Sequence, residues 1–347
     1  MNTKSSLQSK GKEITMFDKK KENTMISKIE RKRIIIFVAI AYAISISLAL
    51  AVYLGGGIFD SFPFGMKLHA FILMAGLMFA PTVANIATRL ITREGWSNTL
   101  LRPRIRRGWR FYLAAWVLPV LATVAGGLIY YMLFPGRFDA SMTFARDTWG
   151  LVPVVESASP WAVIITQAAF TILITPIYIL LGFGEEFGWR AYLLQKLMPL
   201  GARKAVLLLG VIWAVWHWPF FLMGYNYGFN YWGAPVLGAL LYLVVVFFFS
   251  VFTAWVTLRS GSVWPAALGH MAINNSSSLM LFVIQGDPDY LLGPYPLGII
   301  GSLGYAVLAM LVFFNSRALA PIGSPQPVEE KAIQAAYQST GVVSDLA

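Results

Sequence analysis

Gly184-Glu185-Glu186-Phe187-Gly188-Trp189-Arg190 sets two carboxylates and a guanidinium inside a segment otherwise suited to lipid. Upstream, residues 161–183 carry no charge, and downstream Ala191-Tyr192-Leu193-Leu194 resumes the apolar run. An ionisable group at the centre of a membrane helix costs about 2.5–3.5 kcal/mol on insertion scales. Three such groups in residues 185–190 need a functional reason. Two other apolar spans each bring one deep histidine, His217 and His270. Carboxylate and imidazole at similar depth are the materials of a hydrolytic site.

Composition sets the class. The chain of 347 residues is 57% hydrophobic and 12% charged, with a mean hydropathy of +0.64. Soluble domains carry about 25% charged residues, so this is an all-α polytopic membrane helix bundle rather than a large soluble core. The absence of cysteine excludes disulfides, thiolate catalysis and Cys-ligated metals. Ten Lys/Arg fall within residues 1–33 and lead into Ile34 without a small-residue cleavage site. That pattern reads as a basic cytosolic tail before a retained span, not a signal peptide. Positive charge beside a first span is an orientation signal, so no nucleic-acid partner is assigned. The partner on every side is the lipid bilayer.

A span needs about 20 apolar residues. Eight transmembrane helices are expected, near residues 34–54, 68–90, 111–134, 161–194, 205–223, 234–258, 263–284 and 296–314. With the N-terminus in the cytosol, 24 of the 27 Lys/Arg fall on the cytosolic side, leaving only Lys67, Arg137 and Arg146 outside. The positive-inside rule then places both termini in the cytoplasm of a multi-pass protein, read as one of a prokaryotic plasma membrane. The expected organisation is a tail at 1–33, a bundle at 34–316 with a core at 160–285, and a cytosolic tail at 317–347. The fourth span is too long for one crossing, and Pro176 is expected to kink or divide it.

Depth ties the polar groups together. Glu186 lies about 15 Å from Lys196, His217 about 20 Å from Lys204 and His270 about 16 Å from Arg259, at 1.5 Å per helical residue. A shared polar cavity opening toward the cytosol is therefore expected. His69, next to Lys67 near the exterior end of its span, fails this test and reads as an interfacial histidine. Glu186 and Arg190 stand i,i+4 and can pair, while Glu185 points about 100° away and is left for another role. His270 and Asn274 share a face in the same way. Gly184 and Gly188 permit close helix approach.

Three motifs now stand in order: Glu-Glu-Phe-Gly-Trp-Arg (185–190), Trp-Ala-Val-Trp-His (213–217) and His-Met-Ala-Ile-Asn (270–274). Together they resemble the CAAX protease and bacteriocin-processing (CPBP) family of intramembrane proteases, which includes the prenyl-protein endopeptidase and the Abi proteins. Trp213 departs from that family's usual Phe, keeping an aromatic wall of different bulk. The resemblance implies that Glu185, with His217, activates the attacking water. It implies that His270 and Asn274 stabilise the oxyanion, and that Glu186 and Arg190 form a supporting pair. It leaves the metal question open. Glu185, His217 and His270 have the composition of a three-ligand zinc site with one open position, though no His-Glu-xx-His helix is present. A metal-free glutamate mechanism is the alternative.

The implied substrate is a peptide or membrane-anchored protein: a prenylated CAAX protein, or a leader, bacteriocin or signalling peptide. Two other classes compete. A proton- or ion-coupled transporter would use the same glutamates but calls for repeat symmetry with broken helices in matching halves. A non-catalytic immunity or scaffold protein would bind peptide at a spent site.

Overall fold

Long apolar runs without alternating polarity give helix after helix. The computed structural model describes residues 26–59, 66–149, 159–315 and 317–320, so most of both expected tails lies outside the described residues. The helices are α1 (Lys28–Leu54), α2 (Leu68–Leu77), α3 (Ala80–Ile91), α4 (Ile105–Leu133), α5 (Thr143–Trp149), α6 (Pro160–Ile174), α7 (Ile179–Gly188), α8 (Leu194–Leu197), α9 (Ala202–Phe221), α10 (Val236–Ser260), α11 (Trp264–Ser276) and α12 (Leu303–Phe314). No strand occurs among the described residues, only isolated bridges such as Phe138 with Ile284.

Five helical stretches are long and apolar enough to cross a membrane: α1, α4, the run Pro160–Leu200, α9 and α10. The pair α2 and α3, bent 41° at Met78–Phe79, makes a sixth. The expected eight are not reached by length, because α11 has 13 residues and α12 has 12. The sequence supplies the reason. After Ile273 come Asn274, Asn275 and three serines, whose side chains compete for backbone groups. Ser277 Oγ donates to Asn274 O at 2.7 Å and Ser276 Oγ to Ile273 O at 3.1 Å. Before α12, Pro294, Pro296, Gly298 and Gly301 resist helix propagation.

Pro176 does interrupt the fourth segment. The chain tightens to a 3-10 turn at Thr175–Tyr178 between α6 and α7. Proline has no N–H for the carbonyl four residues earlier. That carbonyl, Ile172 O, accepts instead from Trp116 Nε1 on α4 at 2.6 Å.

Glycines set how closely α7 is held. A Cβ on Gly182 would sit 2.3 Å from Ala267 O of α11. One on Gly184 would sit 2.7 Å from Met78 O, and one on Gly188 2.4 Å from Pro81 O. The Gly184-xxx-Gly188 stripe thus presses the acidic motif onto the α2–α3 bend. Helix α11 lies at the centre, packed on α4, α7 and α10. Thr123 of α4 bridges it to α12, with Oγ1 at 3.0 Å from Ser276 Oγ and 2.9 Å from Tyr305 Oη. On the other side, Ser45 Oγ of α1 donates to Trp216 O of α9 at 2.8 Å, and Trp216 Nε1 donates to Ala41 O at 2.9 Å.

The basic end of the bundle is tied by charge. Glu94 pairs with Arg33 (3.2 Å) and with Lys196, and Lys196 reaches Glu30 at 2.8 Å. Tyr192 Oη donates to Glu94 at 3.1 Å. At the opposite end Asp139 accepts the N–H groups of Ser141 and Thr143 at 2.8 and 2.7 Å. Burial pushes the Asp139 carboxyl up, but the bonds from Thr143 and Ser141, with Arg146 nearby, outweigh it and hold the group below the usual carboxylate range.

Orientation is testable because the chain has no cysteine. A Cβ at Gly95 or at Gly136 meets nothing within 4 Å, so both positions accept a probe residue. We expect Gly95→Cys to react with an impermeant thiol reagent only from the cytosolic side and Gly136→Cys only from the outside. Labelling of Gly95→Cys in intact cells rejects the expected orientation.

Candidate active site

The acidic motif ends α7, and the helix then widens into a π turn over Trp189–Leu193. Such turns leave the ordinary i→i−4 ladder, and they recur at functional sites. Glu186 and Arg190 are both fully buried at 0% exposure and pair at 2.9 Å, as their spacing predicts. Glu186 Oε1 also accepts from His270 Nδ1 at 2.8 Å. The Arg190 guanidinium lies 4.1 Å from the centre of the Trp213 ring, a cation–π contact. Its Nε and Nη2, like Glu186 Oε2, have no hydrogen-bond partner among the described residues.

Glu185 points elsewhere, as helical geometry requires. Its Oε2 accepts two indole N–H groups, from Trp213 at 2.8 Å and Trp189 at 3.2 Å. Its Oε1 lies 3.9 Å from His270 Nε2. His217 makes no direct hydrogen bond to Glu185 and is joined to it through Trp213, whose carbonyl accepts His217 Nδ1–H at 2.9 Å. That bond fixes the tautomer: a carbonyl only accepts, so Nδ1 carries the proton and neutral His217 offers Nε2 as an acceptor. His270 Nδ1 is likewise engaged, which directs its Nε2 to the Glu185 side.

Glu185, His217, His270 and Asn274 all line one cavity of about 240 Å³. Asn274 is exposed, and its side-chain amide is available to a ligand there. The space admits several waters beside a peptide carbonyl. Tyr225 and Asn226, which follow α9, and Pro296 and Leu297, which precede α12, complete the lining, so the wall includes loops at the bundle end opposite the basic residues. Depth counted from cytosolic charges does not find these loops, because α9 ends at Phe221, one turn past His217. The bent α2–α3 pair adds Met74, Leu77 and Met78 to the wall.

His69 is not in this cavity. It sits against the end of α1, where a Cβ on Gly55 would fall 2.4 Å from its Nε2. It packs at that helix end, outside the site.

The donor chemistry for a metal can be weighed. Two imidazoles with Nδ1 engaged and a carboxylate are zinc-type donors, and the Nδ1 bonds resemble the outer-shell partners of metal ligands. Yet no set of three His, Asp or Glu among the described residues is gathered where it would hold an ion. Two indoles already occupy one oxygen of Glu185. The residues as arranged do not fit a three-ligand zinc site.

Sequence reading missed three contributors. Trp189 and Trp213 carry no sequence mark of a donor role, yet each donates to Glu185. Asn85, completely buried on α3, donates from Nδ2 to Phe187 O at 2.9 Å, bracing the motif where the helix widens. Arg89 Nε holds Asn85 Oδ1 at 2.8 Å and fixes the amide's orientation. A lone Asn and Arg four residues apart in an apolar helix were the available signal.

Residues 166–276 match the profile of the type II CAAX prenyl endopeptidase Rce1-like family. The resemblance read from the three motifs is borne out over this core. Every residue singled out by the three motifs falls inside the match. CAAX prenyl protease 2 of Methanococcus maripaludis is 24% identical over 230 residues, covering 61% of this chain and 73% of the relative. The match over residues 166–276 and the apolar helices support an integral membrane protein and an intramembrane endopeptidase.

Proposed function

We propose that Glu185, His217, His270 and Asn274 carry out peptide-bond hydrolysis in the cavity they share. Their convergence on one cavity from three helices is the observation that carries the reading. In this reading Glu185 and His217 together hold the attacking water. Glu185 takes one proton from it, and the resulting hydroxide attacks the scissile carbonyl carbon. Negative charge gathers on the carbonyl oxygen. Asn274 Nδ2–H and His270 Nε2–H donate to it, with His270 in the form that carries both ring protons, the other held by Glu186. Glu185 then returns its proton to the amine as the C–N bond breaks. The water's second proton stays on the new carboxyl group, so the products leave the site as one carboxylic acid and one amine, and atoms and charge balance. Preorganised donors of this kind act most strongly in a site that excludes bulk water.

The proposed substrate is a membrane-anchored protein or peptide. A prenylated CAAX peptide is the first probe, since the Methanococcus relative carries that name; leader-type peptides are the second. The experiment is single-turnover cleavage by purified protein, wild type beside Glu185→Ala, with and without a chelator. Cleavage by the wild type alone, unaffected by the chelator, supports the metal-free reading. Loss on chelation and recovery with zinc replaces it by a zinc mechanism at Glu185, His217 and His270. No cleavage of either peptide class, with the protein folded, removes the proposal.

Roles within the site separate kinetically. His270→Ala and Asn274→Ala are each expected to lower kcat by about 10²–10³-fold with KM nearly unchanged, because an oxyanion donor acts in the transition state. A rise in KM with kcat intact assigns these residues to substrate binding instead.

A further inference from the structure

We propose that Trp189 and Trp213 form an indole clamp that decides which oxygen of Glu185 acts as the base. This rests on the reading of Glu185 as the water-activating group. The two indoles arrive from different elements, one from the π turn and one from α9. Both donate to the same atom, Oε2, at 3.2 and 2.8 Å. A carboxylate on a helix can rotate about its last torsion and exchange its oxygens. Two donors fixed on Oε2 stop that rotation and leave Oε1 on the His270 side, 3.9 Å from Nε2. Trp189 is fully buried, with its ring edge-on to Phe37 and Trp216, so its N–H has little freedom to follow a moving carboxylate.

Trp213 is more than a donor. Its N–H holds Glu185, its carbonyl holds His217 Nδ1–H, and its ring covers Arg190. One residue thereby sets the relative position of the base, the water-orienting imidazole and the supporting cation. Phenylalanine at this position keeps the ring and the carbonyl but has no N–H, so the departure from the family's usual residue adds a hydrogen bond to the base.

The test is kcat and KM, measured separately, for Trp213→Phe and Trp189→Phe in the intact protein, with thermal unfolding alongside. Each variant is expected to lower kcat about tenfold or more, since small misplacements of reacting groups are costly. KM should stay within about threefold, as only uniform binding alters it alone. Wild-type kcat in both variants overturns the clamp. So does a loss of activity that tracks lowered thermal stability with KM rising in step, which indicates packing alone. If one variant does not fold, the other decides. Glu185→Gln run in parallel separates the two ideas: if it is inactive while both Phe variants match wild type, only the clamp fails, and if it is active, the hydrolytic reading itself fails.

Discussion

Glu185→Gln is expected to remove cleavage while leaving the fold in place. Gln keeps an oxygen for the indoles of Trp189 and Trp213, so the bonds that hold this side chain have a substitute acceptor. What disappears is the capacity to take a proton from water. General-base catalysis contributes about 10²–10⁴-fold, and the loss should be of that order. His217→Ala should give a comparable loss for a different reason. It deletes the Nε2 acceptor that orients the water, while Trp213 O loses only one local partner. Single-turnover cleavage combined with thermal unfolding in detergent separates chemistry from folding. A folded Glu185→Gln protein that cleaves at the wild-type rate removes the mechanism and brings the transporter alternative forward.

Much of the site was legible because membrane sequence is economical with charge. In lipid, Glu185, Glu186 and Arg190 stand out against their surroundings, and the i,i+4 rule pairs the right two. The same economy exposed His217, His270 and Asn274. Pro176 and the glycine stripe carry local rules that survive into the fold: a missing N–H, a missing Cβ.

Other features carry no such mark. The π turn at Trp189–Leu193 has no sequence period of its own, so a 3.6-residue reading passes over it. The indole bonds depend on which helix faces which, and that is set by packing, not spacing. The loop part of the cavity wall was hidden for a related reason. Residue counts measure depth along a helix, whereas the walls include Tyr225, Asn226, Pro296 and Leu297 from loops whose fold no periodicity encodes. The shortness of α11 and α12 was readable in the serines and prolines beside them, but hydropathy windows average such residues away.

Arg190→Ala is expected to act on folding before it acts on catalysis. Arg190 and Glu186 are buried together, and their 2.9 Å contact is direct. Deleting the guanidinium leaves Glu186 charged and His270 alone facing two carboxylates. It also empties the space under the Trp213 ring, where the cation–π contact was. Breaking a buried pair by removing one partner costs about 3–5 kcal/mol, most of it the penalty of the stranded charge. Loss of well-packed volume adds to this. We therefore expect poor yield and a clearly lowered unfolding temperature in detergent. The double variant Glu186→Gln with Arg190→Ala separates the causes, because it deletes the stranded charge but not the void. It should be more stable than Arg190→Ala alone, yet still impaired in cleavage, since His270 has lost its anionic partner. If the single variant unfolds at the wild-type temperature, the pair is not structural, and the Arg190 guanidinium must be assigned to substrate or to the reaction.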